Sequence, residues 1–107
     1  MNNIEIINSM NDYLKVIYLN ENVNGYVRKY MEYDRYDTLN LTFVIGKDNI
    51  FLVSFNIKND IIISADYDSY WIDDFDNIIH KSNKEKGIGK TEAFLGKFIE
   101  CTYEKIE

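Results

Sequence analysis

The chain has 107 residues and a formal net charge of −6, and 46% of its residues are hydrophobic, 15% aromatic and 28% charged. This length predicts a single domain over residues 1–107, and a composition so rich in core-forming residues excludes intrinsic disorder. No apolar run approaches the roughly 20 residues of a transmembrane helix, and the N-terminus shows no signal-peptide pattern, so we expect no membrane segment and no secretion.

The first half of the chain predicts one helix followed by strands. Residues 9–19 carry apolar side chains at helical spacing, with Ser9 as the expected N-cap. Residues 24–33 fit either a helix or a tyrosine-rich strand, and we favour the strand because an Asn-Gly pair disfavours a helix start. Residues 38–45 and 50–57 alternate apolar and polar side chains across short polar turns, which indicates antiparallel hairpins.

The second half predicts a further strand at residues 60–67 and then two helices. Asp68 or Ser69 is the expected N-cap of the first, whose apolar stripe includes Trp71 and ends near His80. The second covers residues 90–105. The expected fold is therefore α+β, an antiparallel meander of three to four strands with an N-terminal helix and two C-terminal helices packed on one face.

The negative charge is concentrated in residues 60–79, which we call the acidic segment. It holds six aspartates and no basic residue, so it carries the whole net charge and the remaining acidic and basic residues balance at twelve each. Such a field attracts cationic partners over a Debye length of roughly 8 Å at physiological salt. The chain also lacks the basic stripe that nucleic-acid phosphates require, so we expect no nucleic-acid binding.

Two segments resemble ligand-binding loops, but each lacks residues that such a loop requires. Residues 87–91, Gly-Ile-Gly-Lys-Thr, resemble the end of a phosphate-binding loop, but Lys84 stands where that loop requires its first glycine. Residues 66–77 begin like a calcium loop, but Trp71 replaces the required glycine and Asn77 the final glutamate. We therefore predict no cofactor and no metal.

The remaining candidates for chemistry are weak. Asp66, Asp68 and Asp73 together suggest a loosely held divalent cation, although acidic residues near a helix N-terminus are more often a solvated face. His80 and Cys101, the single histidine and single cysteine, suggest a nucleophile pair if the fold brings them together. A lone Cys is more often a small packed hydrophobe, and it allows no internal disulfide, which favours a cytoplasmic protein. No enzyme is predicted.

Aromatic residues within the acidic segment point to a protein interface. The chain has nine tyrosines, six phenylalanines and one tryptophan, more than one core requires. Tyrosine and tryptophan beside carboxylates suit an interface that anchors by aromatics and selects by charge. The alternative is that Trp71 packs in the core and the tyrosines cover the sheet. The predicted partner-binding residues are Asp66, Tyr67, Asp68, Tyr70, Trp71, Asp73, Asp74 and Asp76.

In size, Asn/Ile/Lys-rich usage, strand meander and the acidic aromatic block at residues 66–76, the chain resembles the small immunity proteins encoded beside bacterial polymorphic or contact-dependent toxins. The resemblance implies a protein that binds a cognate basic toxin, such as a nuclease, and blocks its active site. It implies a cytoplasmic binding protein without a cofactor, monomeric or homodimeric when free.

Two other functions compete with this one. A phage-encoded inhibitor or nucleic-acid mimic would need the same anionic interface. A small enzyme or ligand-binding domain would instead need a pocket between sheet and helices that holds His80 or Cys101 near carboxylates.

Overall fold

The computed structural model describes residues 1–72, 78–80 and 88–106. Its elements are α1 (Asn3–Ile17), β1 (Val23–Met31), β2 (Asp37–Ile45), β3 (Asn49–Lys58), β4 (Ile61–Ile72), β5 (Ile78–His80) and α2 (Ile88–Gly96). All neighbouring strands are antiparallel, in the order β1-β2-β3-β4-β5. The α+β fold with an antiparallel meander is confirmed, but the sheet has five strands and not three to four. The strand predicted at residues 24–33 is present as β1, which ends at Met31. Within these ranges neither helix has the length and apolarity needed to cross a membrane.

Helix α1 begins earlier than predicted, because its N-cap is Asn2 and not Ser9. The Glu5 N–H donates to Asn2 Oδ1 at 3.0 Å, and the Asn2 N–H donates to Glu5 Oε2 at 3.3 Å. This reciprocal pair satisfies two of the backbone donors that a helix start leaves free. The extra turn brings Ile6 into the core with Met10 and Leu14, at the spacing of one helix face.

The core lies between one face of the sheet and the two helices. Alternate residues of β2 and β3 fill it from the sheet, because successive side chains in a strand point to opposite faces. The helices contribute residues from their inner faces, and Tyr103 closes the cluster near the C-terminus. The central buried members are Ile6, Met10, Leu14, Leu39, Leu41, Phe43, Ile45, Val53, Phe55, Ile62, Leu95 and Phe98.

The helix predicted after Asp68 is wrong in the described residues. Strand β4 runs on through Trp71, which pairs with Asn49 of β3, and Ile79 of β5 then pairs back with Trp71. Pairing along the full length of β3 supplies hydrogen-bond partners for the backbone of residues 68–71. The apolar positions of this segment suit a strand as well as a helix. Residues 73–77, with Asp73, Asp74 and Asp76, lie outside the described residues.

The last helix is also shorter than predicted. Helix α2 ends at Gly96, and turns closed by the N–H groups of Lys97 and Phe98 follow it. The chain then returns in an extended form, where the Ile62 N–H donates to the Cys101 carbonyl at 3.1 Å. Cys101 therefore lies on a segment beside the start of β4 and not on a helix, because tertiary pairing with that strand replaces the helical hydrogen bonds.

Candidate interaction surface

The sheet has a second face, opposite the core, which we call the open face. Helices α1 and α2 pack on the other side. Residues paired directly across antiparallel strands share a face, so the register defines its members. One row crosses the sheet from Tyr26 through Thr42 and Leu52 to Asp68, and the next contains Asn40, Ser54 and Asp66.

Strand alternation divides the predicted partner-binding residues between the two faces. Asp66, Asp68 and Tyr70 lie on the open face, and both aspartates are exposed. Tyr67 and Trp71 lie on the core side of β4, opposite Val53 and Asn49 respectively. The structure therefore brings together three of the five described candidates.

Tyr67 packs against the core and is not a free anchor. Its ring stacks on Phe51 with 5.6 Å between centroids, and its hydroxyl donates to Glu92 Oε1 at 3.3 Å. Burial, together with the nearby Glu92 carboxylate, raises the pKa of Tyr67 above its ordinary value of 10. Trp71 was expected either to anchor a partner or to pack in the core. It lies on the core side of β4, but 37% of the residue is exposed.

Polar side chains form a hydrogen-bonded ladder along the open face. Thr38 Oγ1 donates to Asn56 Oδ1 at 3.1 Å, and Asn56 Nδ2 donates to Ser64 Oγ at 2.8 Å. In the next row Ser54 Oγ donates to Asn40 Oδ1 at 2.7 Å. These bonds link strands β2, β3 and β4 on the open face.

The ladder is incomplete at its centre, where two buried groups lack partners. Among the described residues, Asn40 Nδ2 and Thr42 Oγ1 have no hydrogen-bond partner, although each of the two residues is only 5% exposed. A buried polar group without a partner costs about 1–3 kcal/mol, so native structures retain few of them. The Ser54 hydroxyl can accept as well as donate, so the Asn40 amide could bond to it through either its oxygen or its nitrogen. In both orientations the other polar atom of the amide is left without a partner.

A cavity of about 290 Å³ lies on the open face, and neither Asn40 nor Thr42 is among the residues that line it. Ser54 of β3, the hydrogen-bond partner of Asn40, lines it, and so does Leu52, the cross-strand neighbour of Thr42. Its charged lining residues are Arg28, Asp66 and Asp68, and Tyr70 completes the polar part of the wall. One cation and two carboxylates give these walls a formal charge of −1.

Arg28 is not among the partner-binding residues predicted from the sequence. The residue sits at an irregularity in β1, where the pairing with β2 shifts between Val27 and Lys29. A bulge of this kind inserts one residue and re-aims its side chain. The sequence contains a sign of this irregularity. The core-facing residues Val23 and Val27 are an even number of positions apart, whereas the next one, Tyr30, follows after three, which departs from the two-residue period of a regular strand.

The proposed His80 and Cys101 pair is not assembled. The backbone of His80 pairs with Tyr70, whereas the Cys101 carbonyl accepts from Ile62, near the other end of β4. Ile62 and Tyr70 are eight positions apart, which corresponds to roughly 26 Å along the strand. No group of three or more His, Cys, Asp or Glu side chains in the described ranges is placed to hold a metal ion.

A second cavity, of about 650 Å³, lies between the two helices. Its lining includes the stacked pair of Tyr13 and Phe94, whose ring centroids are 4.1 Å apart. Asp12, Lys90 and Lys97 stand around it, so it carries both signs of charge on an apolar floor.

Comparisons of the chain with protein-family models, with curated proteins and with solved structures give no match. The open face offers exposed carboxylates, one guanidinium and two buried polar groups with unused hydrogen-bonding capacity. Such a surface can bind a partner that brings positive charge and hydrogen-bond donors.

Proposed function

We propose that this protein binds and neutralises a basic protein, and that the partner is the cognate toxin of a bacterial immunity system. The observation that carries the proposal is that exposed Asp66 and Asp68 share one sheet face with buried Asn40 and Thr42. Asn40 Nδ2 and Thr42 Oγ1 have no hydrogen-bond partner among the described residues. In the free protein this face has polar groups that lack hydrogen-bond partners. A partner that supplies cations and hydrogen bonds would satisfy them.

The surface has the two components of an inhibitor interface. Carboxylates on β4 attract a basic surface, such as the nucleic-acid groove of a nuclease, and raise the association rate. Tyr26, 47% exposed at the other end of the row that contains Asp68, and Tyr70 supply aromatic area on the same face. Tyrosines are frequent hot-spot residues because they bury large area with few rotatable bonds.

The proposal assigns no catalytic residue, cofactor or metal. It places the protein in the cytoplasm, as a monomer or homodimer before it meets the toxin, with no nucleic acid or membrane as partner. A phage-encoded inhibitor or nucleic-acid mimic is the second candidate, and the same carboxylates favour it. Gene neighbourhood separates the two, since a toxin gene immediately upstream favours immunity and a phage operon favours the inhibitor.

The test uses the protein with the product of its neighbouring gene. Tagged protein is incubated with that product at low and moderately high salt, and affinity and association rate are measured. Co-expression then shows whether the protein protects a bacterial host from that product. We expect one-to-one binding that weakens with salt, and protection of growth.

A matched pair of variants locates the interface. Asp66→Lys/Asp68→Lys reverses two charges on the open face, whereas Asp12→Lys/Glu104→Lys makes the same change in net charge at exposed positions elsewhere. We expect the first variant to slow association about tenfold or more and to lose protection, and the second to change either only slightly. Equal binding by both variants would show that the open face is not the interface.

A further inference from the structure

We propose that the face formed by α1 and α2 is a homodimer interface, in which α1 of each protomer packs against α2 of the other. The two helices lie on the opposite side of the sheet from the open face. The inference is therefore independent of the proposed function, and a dimer of this kind leaves both open faces free to bind.

The groove of about 650 Å³ between the helices follows both of them for about two turns. Its lining residues on α1 stand at positions i, i+3, i+4 and i+7, and so do those on α2 together with the residue after its end. They are Ser9, Asp12, Tyr13 and Val16 on one wall and Lys90, Ala93, Phe94 and Lys97 on the other. This spacing forms one stripe along a helix, and helices pack against one another along such stripes. The groove therefore suits a second helical face.

The centre of the groove is apolar and incompletely covered. Tyr13 and Phe94 stack on each other there, and both residues are only half-buried. Val16 is 72% exposed, and Ala93 is exposed as well. A second copy of the same face would remove this apolar area from water, which is the usual source of affinity in homodimer interfaces.

The two walls carry opposite charges, and this decides which helix meets which. Asp12 on the α1 wall is exposed, and so are Lys90 and Lys97 on the α2 wall. In the described part of the chain none of the three takes part in an ion pair. A two-fold axis along the groove places α1 of one protomer over α2 of the other, so that each acidic wall meets a basic wall. A two-fold axis across the groove would instead stack α1 on α1 and bring like charges together.

Positions along the groove fit the same arrangement. Tyr13 is level with Phe94, because their rings stack, and Asp12 is the neighbour of Tyr13. Lys90 and Lys97 lie on either side of Phe94, at roughly 6 Å and 4.5 Å along the helix direction. Lys97 Nζ is 5.8 Å from the centre of the Phe94 ring. Rotation about an axis along the groove leaves these levels unchanged, so the Asp12 carboxylate of one protomer would lie between the two flexible lysines of the other.

Sedimentation velocity of the intact, isolated protein tests the dimer. We expect dimers at about 100 µM chain that dissociate on dilution to about 1 µM, because a contact of this size is weak. Val16→Asn should weaken dimerisation about tenfold or more, since the buried valine side chains supply part of the affinity. Val16 is mostly exposed in the single chain, so the variant should fold normally.

Charge reversal tests the pairing of unlike walls. Asp12→Lys makes both walls basic, and Lys90→Glu/Lys97→Glu makes both walls acidic, so each variant alone should be monomeric. An equimolar mixture of the two variants should form heterodimers, because each contact then joins walls of opposite charge. This recovery on mixing is specific to an interface in which α1 meets α2.

Matched controls separate the effect of the groove from that of net charge. Glu104→Lys makes the same change in net charge as Asp12→Lys, and Lys47→Glu/Lys58→Glu makes the same change as the double lysine reversal. All three control positions are exposed and do not line the groove. Both control variants should dimerise like the natural protein, and circular dichroism checks that every variant is folded.

Three results would each overturn the inference. The natural protein stays monomeric at every concentration, the mixture of the two charge-reversed variants stays monomeric, or either charge reversal alone leaves the dimer intact. Because Asp12 and the two lysines lie across the sheet from the open face, none of these results bears on toxin binding. Toxin binding succeeds or fails separately, with the neighbouring gene product.

Discussion

Replacing Thr42 with valine should stabilise the folded protein. The two side chains have almost the same shape and similar strand preference, so the substitution exchanges a hydroxyl for a methyl group without a cavity. In the folded state Thr42 Oγ1 is buried and has no hydrogen-bond partner, whereas in the unfolded chain it is hydrated. The natural protein therefore bears a desolvation penalty that the variant avoids.

The size of the effect follows from a comparison with Thr38 on the same strand and face. An unpaired buried hydroxyl costs about 1–3 kcal/mol, so we expect Thr42→Val to raise the free energy of unfolding by about 1 kcal/mol or more. Thr38 is 8% exposed and donates to Asn56 Oδ1 at 3.1 Å. Thr38→Val should therefore lower the free energy of unfolding by about 1 kcal/mol, because it removes a hydrogen bond and leaves an acceptor unpaired.

Urea unfolding of the natural protein and both variants measures the difference, and thermal unfolding gives an independent check. For a domain of this size, 1 kcal/mol corresponds to roughly 4–8 °C in Tm. The two substitutions should move the midpoint in opposite directions with an unchanged m-value. If Thr42→Val is no more stable than Thr38→Val, the Thr42 hydroxyl is satisfied and it offers no free acceptor to a partner.

Two further predictions concern the core and the alkaline limit of stability. A Cβ added at Gly25 would lie 2.3 Å from Phe43 Cε1, so Gly25→Ala should lower the free energy of unfolding, measured in urea, by about 1–3 kcal/mol. A Cβ added at Gly96 would meet no atom within 4 Å, so Gly96→Ala is the control and should be neutral or slightly stabilising. Burial raises the pKa of Tyr103 to about 12, so the folded state holds this proton more tightly than the unfolded chain. The resulting stabilisation is complete below pH 10 and is lost as the pH rises from 10 towards 12; Tyr103→Phe should therefore make the urea midpoint fall less steeply over that interval.

Local pattern was sufficient for the meander. Leu39, Leu41 and Phe43 alternate with polar residues, and the polar turn before Asn49 ends the run. Period-two alternation has one simple solution when one face must be buried, because a slip of one residue would expose every apolar side chain. At residues 24–33 the apolar spacing fitted either a helix or a strand, and a different argument favoured the strand, because an Asn-Gly pair disfavours a helix start.

The sequence pattern gave the wrong secondary structure where the same apolar spacing fits both a helix and a strand. Trp71, Ile72, Ile78 and Ile79 form an acceptable helical stripe, yet the structure places them on two paired strands. Pairing with β3 decides this, since a long neighbouring strand supplies hydrogen bonds that no local propensity can register. The C-terminal segment shows the same effect, because Cys101 leaves the predicted helix to bond with Ile62.

The sequence by itself therefore determined the strand meander, the fold class and the concentration of negative charge, because each depends on neighbours along the chain. Only the tertiary structure decided that Asp66 and Asp68 share a cavity wall with Arg28. It also decided that Asn40 Nδ2 and Thr42 Oγ1 are buried without a hydrogen-bond partner among the described residues. The physical reason is that burial and hydrogen-bond satisfaction depend on which strands lie side by side. The identity of a polar residue in the sequence does not show whether its hydrogen-bond partner is water, a neighbouring strand or a ligand.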